Sequence, residues 1–303
     1  MFVLKSLFSE SVTINGNHYA LRRQIGEGAY AFVFKGKRNG VRYAIKKIMT
    51  STSEQVVEAD NEIRALLRFK QNTSIIELID YEKIDNFMYL VFPLFSDDLQ
   101  QLIQKSVYPA SVFRDESEVR GVLQEIISAI TFIHQHNYRH ADLKPSNILL
   151  SVHGDKISRI VLADFGSCVQ FQDVSSRQEA LKVMDHAMKY SSANFRSPEL
   201  YETPANTRID GSSDIWAVGC IIYSMLFSIN PFERDGLSTL SIMNGNFIFP
   251  VNHNWSPNFI EIINKCLIVN HTERIDATGL QILLNQANNN DNNNFECDWD
   301  AFK

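Results

Sequence analysis

The stretch from Asp115 to Asn137 places the strongest constraint on the fold. Val119, Val122, Leu123, Ile126, Ile127, Ile130 and Ile133 recur at three- and four-residue spacing, which predicts one long amphipathic helix with a continuous apolar stripe. Such a stripe has to be buried against a core. The helix delivers the chain into a polar loop, Tyr138 to Asn147, and the apolar run Ile148-Leu149-Leu150 then reads as a strand.

That loop carries Asp142, Lys144 and Asn147 within six positions. A carboxylate, an ammonium and a carboxamide so placed suit phosphoryl transfer. Asp142 can orient a hydroxyl nucleophile and take its proton, Lys144 can neutralise phosphate charge, and Asn147 can hold a metal ion through its side-chain oxygen. Asp164-Phe165-Gly166 downstream supplies a second metal contact through Asp164. Near the start, Ile25-Gly26-Glu27-Gly28-Ala29-Tyr30-Ala31-Phe32-Val33 is a Gly-x-Gly-x-x-Ala stretch in which small residues let a backbone approach phosphates. Each motif alone also reads as a polar turn or a hairpin; their joint occurrence in this order decides between the readings.

With 303 residues and 45% hydrophobic content, the chain can bury a sizeable core in about two folding units around one cleft. A net charge of -6 gives no basic field for nucleic acid, and no Lys/Arg run marks a membrane surface. Four dispersed cysteines, Cys168, Cys220, Cys266 and Cys297, indicate neither a zinc site nor a disulfide scaffold. No stretch reaches membrane-spanning length, so a soluble, cytoplasmic monomer is expected.

The order of these motifs resembles the eukaryotic protein-kinase family. The catalytic loop His140-Ala141-Asp142-Leu143-Lys144-Pro145-Ser146-Asn147 departs from the family pattern at Ala141, where an Arg is usual. The resemblance implies an α+β, bilobal fold with a β-rich small lobe and a mainly helical large lobe. It divides the chain into an extension at 1–11, a small lobe at 12–94, a large lobe at 95–285 with an activation segment at 164–199, and a tail at 286–303. Function would be ATP- and Mg2+-dependent phosphorylation of protein Ser/Thr hydroxyls. The implied catalytic set is Asp142, Lys144, Lys46 and Glu62, with Glu58 as the rival partner of Lys46 before a strand at Ile75 to Ile79. ATP would meet Ile25, Gly26, Gly28, Val33, Ala44, Lys46, Phe92, Pro93, Phe95 and Leu149, with Asp98 on the ribose or else decorating a helix start. Metal falls to Asn147 and Asp164. Leu66, Leu78, His140 and Phe165 would stack as one apolar column, Asp214 would brace the catalytic-loop backbone, and Arg274 would pair with Glu199. Ser192 stands where Ser/Thr-selective members place a Thr that touches the catalytic Asp and Lys.

Within the activation segment, Arg177 to Lys189 predicts a helix capped by Ser175 or Ser176, with Ala180, Leu181, Met184, Ala187 and Met188 on its buried face. Finer likeness is to the Numb-associated kinase family, in its myristoylated and palmitoylated serine/threonine kinase branch, and so to trafficking or endocytosis. It is carried by Val12-Thr13-Ile14, His18-Tyr19, Pro93, Gly166-Ser167, Ser176-Arg177-Gln178 and Phe195-Arg196-Ser197-Pro198-Glu199-Leu200. The branch's lipid anchor needs a Gly after the initiator Met, and Phe2 stands there. Competing readings are a catalytically weak scaffold of the same fold and a small-molecule phosphotransferase. After an Asn-rich run at 288–294, Trp299-x-x-Phe302 resembles the motif by which endocytic proteins dock on clathrin-adaptor appendages.

Overall fold

The computed structural model describes residues 11–28, 30–154, 156–233, 236 and 238–290, with side chains to 286. The chain divides into two compact units, one built from the residues up to Ser96 together with Ala163–Gly166, the other from Asp97–Leu162 and the residues from Ser167 onward.

The first unit is strand-rich. β1 (Ser11–Ile14) turns through Asn15 and Gly16, whose φ values of 45° and 76° explain the Asn-Gly pair, into β2 (Asn17–Glu27). β3 (Ala31–Arg38) and β4 (Val41–Met49) form a second hairpin, α1 (Ser53–Phe69) follows, and β5 (Asp80–Ile84) and β6 (Phe87–Pro93) close the sheet. The antiparallel order is β1-β2-β3-β4-β6-β5. Strand alternation sorts the side chains. Phe34, Tyr43, Ile45, Tyr89 and Val91 pack on one face with Ile14, Tyr19 and Leu21. Val33, Ala44, Lys46, Leu90 and Phe92 belong to the opposite face by register. α1 starts at a reciprocal capping box between Thr52 and Gln55 and buries Ala59, Glu62, Ile63, Ala65, Leu66 and Phe69. The expected strand at Ile75 to Ile79 is absent: Ile75 forms only an isolated bridge, Ile76 is buried in irregular chain, and the ladder begins where Asp80 pairs with Val91.

The second unit is mainly helical. β7 (Asp97–Asp98) and α2 (Leu99–Ile103) lead to α3 (Glu116–Gln135), the long helix expected from the apolar stripe, capped by Asp115. All seven stripe residues are buried. β8 (Tyr138–Arg139) precedes the loop, and β9 (Ile148–His153) and β10 (Lys156–Leu162) form a hairpin. β11 (Val169–Gln170) pairs with β8, and β12 (Gln172–Val174) leads into α4 (Arg177–Tyr190), α5 (Pro198–Tyr201) and β13 (Thr207–Ile209), which pairs with β12. Then come α6 (Ser212–Phe227), buried on every side, α7 (Thr239–Asn244), α8 (Pro257–Cys266) and α9 (Ala277–Asn290). Among the described residues no helix is long and apolar enough to cross a membrane.

α4 keeps the expected Ala180 and Ala187 on its buried face, leaves Met184 half-buried, and differs from expectation in turning Val183 inward in place of Leu181 and Met188. Ser176 caps it through a box with Glu179, but the buried face is Ala180, Val183 and Ala187, packed with Val174, Leu200 and Ile209. Leu181 and Met188 are exposed, at 48% and 63%. Two alanines let the helix approach its neighbours closely, and the longer side chains are turned to solvent.

Arg274 donates to both carboxylate oxygens of Glu199, at 2.9 and 3.0 Å, and the two side chains are 0% and 3% exposed. Arg274→Met leaves that carboxylate buried and uncompensated, so it should cost about 3 to 5 kcal/mol, whereas the double variant with Glu199→Met should recover most of the loss. Urea unfolding of the three proteins measures this directly.

Candidate active site

In the first unit, β4 and α1 bring three charges together. Lys46 Nζ donates to Glu62 at 2.7 and 2.9 Å and to Asp164 at 2.8 Å. Glu58 is not among these partners. Burial opposes the Lys46 charge, but Asp164 and Glu62 more than offset it and hold the ammonium well above its ordinary range. Burial pushes the Glu62 carboxyl up while Lys46 pulls it back. Asp164 is the accessible partner at 47% against 4% for Glu62. Its φ of 62° is a left-handed conformation uncommon outside glycine.

The same sheet face gathers the residues assigned to a nucleotide. Gly26 pairs with Val33, Val33 with Lys46, and Ala44 with Phe92. A Cβ on Gly26 would lie 3.3 Å from that of Val33, so a larger residue would crowd the strand pair. Gly28 N–H donates to Ala31 O at 2.7 Å and closes the turn. Ile25 is 42% exposed, Phe92 is buried, and Pro93 and Phe95 are half-buried, with Pro93 the last residue of β6. Leu66 and Phe165 are buried in this unit, and Leu78 is half-buried.

The second unit holds the loop. Asp142 is buried, and its Oδ1 accepts from Ser192 N–H at 2.8 Å while Oδ2 accepts from Lys144 Nζ at 2.6 Å. Lys144 also donates to Ser192 Oγ at 3.0 Å, so the three residues form one closed contact set. Asn147 Nδ2 donates to the Asp142 carbonyl at 2.8 Å, which leaves its side-chain oxygen as the outward acceptor. His140 is fully buried, and Leu149 is half-buried on β9, paired with Asp98. Asp98 itself caps α2: its carboxylate accepts from Gln101 N–H at 2.8 Å and from the Gln101 side chain.

Asp214, at the start of α6, holds the loop from beneath. Its two oxygens accept from His140 N–H at 2.8 Å and Ala141 N–H at 3.0 Å. Burial would raise its pKa, but the His134 hydrogen bond, the charges of His134 and His140 and the Ala141 N–H together hold the carboxyl below its usual range. His134 was not legible as part of the site. It lies in the last turn of α3 with Nε2 2.9 Å from Asp214, and no spacing rule links two residues so far apart in sequence. Its structural mark is Gly211, where a Cβ would come within 2.4 Å of His134 Nδ1.

The profile of the protein kinase domain family matches residues 19–283. A probable serine/threonine-protein kinase of Dictyostelium discoideum is 28% identical over 92% of this chain, which spans only 25% of that protein's length. Serine/threonine-protein kinase ppk13 of Schizosaccharomyces pombe is 28% identical over 87% of the chain and 89% of its own length. Serine/threonine-protein kinase 16 of Mus musculus is 26% identical over 87% of the chain and 88% of its own. With a match over this extent, the chain belongs to the protein kinase domain family.

Proposed function

We propose that the chain acts as an ATP-dependent serine/threonine protein kinase, with Asp142 as the base and Lys144 and Ser192 as its fixed companions. The closed contact set of these three residues, made by the Lys144 ammonium, the Asp142 carboxylate and both the backbone N–H and the hydroxyl of Ser192, carries the reading. Asp142 accepts the proton of a substrate Ser or Thr hydroxyl, whose oxygen forms the new P–O bond. The bond from the γ-phosphorus to the bridging oxygen breaks, and ADP leaves with that electron pair. Lys144 offsets charge on the moving phosphoryl group, and Lys46, fixed by Glu62, takes the phosphates nearer the nucleoside.

Mg2+ prefers oxygen ligands and keeps few protein contacts. The donor chemistry suits such an ion: Asp164 has an accessible carboxylate, and the Asn147 amide donates through Nδ2 and so keeps its oxygen as an acceptor. When bound, the ion neutralises charge on the phosphate oxygens. In this reading Ile25, Gly26, Gly28, Val33, Ala44, Phe92, Pro93, Phe95 and Leu149 receive the nucleotide. Asp98 acts on the ribose only by exchanging a contact with Gln101.

The Numb-associated assignment, a role in trafficking, and cytoplasmic, monomeric existence rest on the sequence. Trp299 and Phe302 lie outside the described residues. As anchors of an adaptor-appendage ligand, they should give a peptide of residues 295–303 micromolar or weaker affinity, abolished by Trp299→Ala or Phe302→Ala. Calorimetry that finds no binding, or binding unchanged in the variants, removes this part.

Asp142→Asn should lower kcat by about 10² to 10⁴, the usual contribution of a positioned base. Equal background rates in wild type and variant, measured as Mg-dependent phosphorylation of a generic protein, would instead favour the scaffold. Activity should also survive complete dephosphorylation. Ala141 brings no cation for an activation-segment phosphate to neutralise, and α4 is ordered by packing. Phosphatase-treated protein, verified by mass spectrometry, should keep its rate. Val183→Asp should lose activity, and Leu181→Asp, on the exposed side of α4, should retain it. A large fall on dephosphorylation with Val183→Asp unaffected overturns the point.

A further inference from the structure

The residue before Ser192 makes contacts that none of the motifs explains. Ser191 ends α4 in an extended conformation, with φ of -111° and ψ of 145°. Its N–H and its hydroxyl both donate to the Ala187 carbonyl, at 2.9 and 2.7 Å, so one of the acceptors left open at the end of the helix is satisfied twice. The same hydroxyl oxygen accepts from Arg196 Nε at 2.9 Å, and the Ser191 carbonyl accepts from Arg196 Nη2 at 2.8 Å. A serine hydroxyl has one proton to give and lone pairs to receive, and here both roles are used. The Tyr190 carbonyl, one residue earlier, accepts from Ser167 Oγ at 2.9 Å.

Arg196 is held by its edge on Ser191 and by its face on Tyr201. It is 8% exposed, and its guanidinium carbon lies 4.9 Å from the centroid of the Tyr201 ring. The Tyr201 hydroxyl donates in turn to the Ala193 carbonyl at 2.8 Å. Ser192 therefore stands between two anchored neighbours, Ser191 on Arg196 and Ala193 on Tyr201. Its own contacts lead to the reaction, since its N–H meets Asp142 Oδ1 and its hydroxyl meets Lys144 Nζ. Ala141, Asp142, Ser191, Ser192, Arg196 and Asp214 share the wall of one cavity of about 10 Å³, no larger than a single water requires, so little slack separates the arginine from the loop.

We propose that Ser191 is a positioning residue for phosphoryl transfer: its hydroxyl joins the end of α4 to Arg196, and the joined pair sets Ser192 and with it Asp142 and Lys144. The bond from Nη2 to the carbonyl is open to any residue at this position. The side chain is what distinguishes serine there, because an alanine would leave Arg196 Nε–H without this acceptor and the helix end without this donor.

The test compares Ser191→Ala, which removes the hydroxyl, with Ser191→Thr and Ser191→Val, which share one shape and differ in the hydroxyl. It rests on the kinase reading, and wild-type turnover checks that reading separately in the same assay. Ser191→Ala should lower kcat about ten-fold, part of the roughly hundred-fold effect of a misplacement of about 1 Å, with KM for ATP little changed. Ser191→Thr should stay within about three-fold of wild type, under half a decade in rate, and Ser191→Val should fall with Ser191→Ala. Arg196→Gln should lower kcat as well, and adding Ser191→Ala to it should cost little more, because the two side chains act as one unit. Amide hydrogen exchange separates positioning from general loosening and does not depend on turnover: in Ser191→Ala the Ser192 N–H should exchange about ten-fold faster or more, with the amides of α6 unchanged. A kcat for Ser191→Ala within about three-fold of wild type overturns the proposal, as do equal rates in Ser191→Thr and Ser191→Val or independent effects in the double variant. A uniform rise in exchange that includes α6 overturns it too. If Ser191→Ala does not fold, the Thr and Val pair decides by kcat and by Ser192 exchange. If wild type shows no turnover, the kinase reading fails, and Ser192 exchange alone decides whether the hydroxyl positions that residue.

Discussion

The catalytic loop depends on the Asp214 carboxylate. His140 and Ala141 are buried, and Ala141 has a φ of 69°, a left-handed conformation that costs about 1 to 2 kcal/mol for a residue with a Cβ. Such a turn persists only where its surroundings hold it, and Asp214 accepts both N–H groups at 2.8 and 3.0 Å. Each N–H left without an acceptor there would cost about 1 to 3 kcal/mol. The orientation of Asp142, one residue on, follows from this anchorage. Gly211 belongs to the same constraint, since its missing Cβ makes room for His134, the third group on that carboxylate.

Lys46 shows a different use of charge. Its two carboxylate partners are unequal, Glu62 buried and Asp164 open to solvent. Glu62 pairs with Lys46 within the sheet-and-helix core, where losing the ammonium would strand a buried charge. Asp164 can exchange that ammonium for another cation at much lower desolvation cost. The arrangement keeps Lys46 in place whichever partner Asp164 takes.

Sequence reading was strongest where one short-range rule governs the outcome. α3 follows its apolar stripe to its Asp115 cap. It was weaker where two local uses competed for one residue. Asp98 is the N-cap of α2, and no spacing distinguishes a carboxylate that caps a helix from one reserved for a ribose. Ile75 and Ile76 are apolar enough for a strand, yet they are buried before the ladder begins at Asp80. His134 was silent because its contact with Asp214 arises only when α3 and α6 are brought together.

The face of α4 illustrates the limit most clearly. Ala180, Val183 and Ala187 form one helical stripe, and Leu181, Met184 and Met188 form its neighbour, about 100° round the axis. Hydrophobicity favours the second stripe, because it carries more apolar surface. Packing favours the first, because two alanines leave Val174, Leu200 and Ile209 room to pack close against the helix. Side-chain entropy acts in the same direction: fixing a methionine forfeits about 1.5 to 2 kcal/mol of rotamer freedom, and fixing an alanine forfeits none. A segment ordered through small residues is therefore held by close backbone approach rather than by large buried area. That makes its order sensitive to a single buried charge on that face and indifferent to the longer side chains beside it.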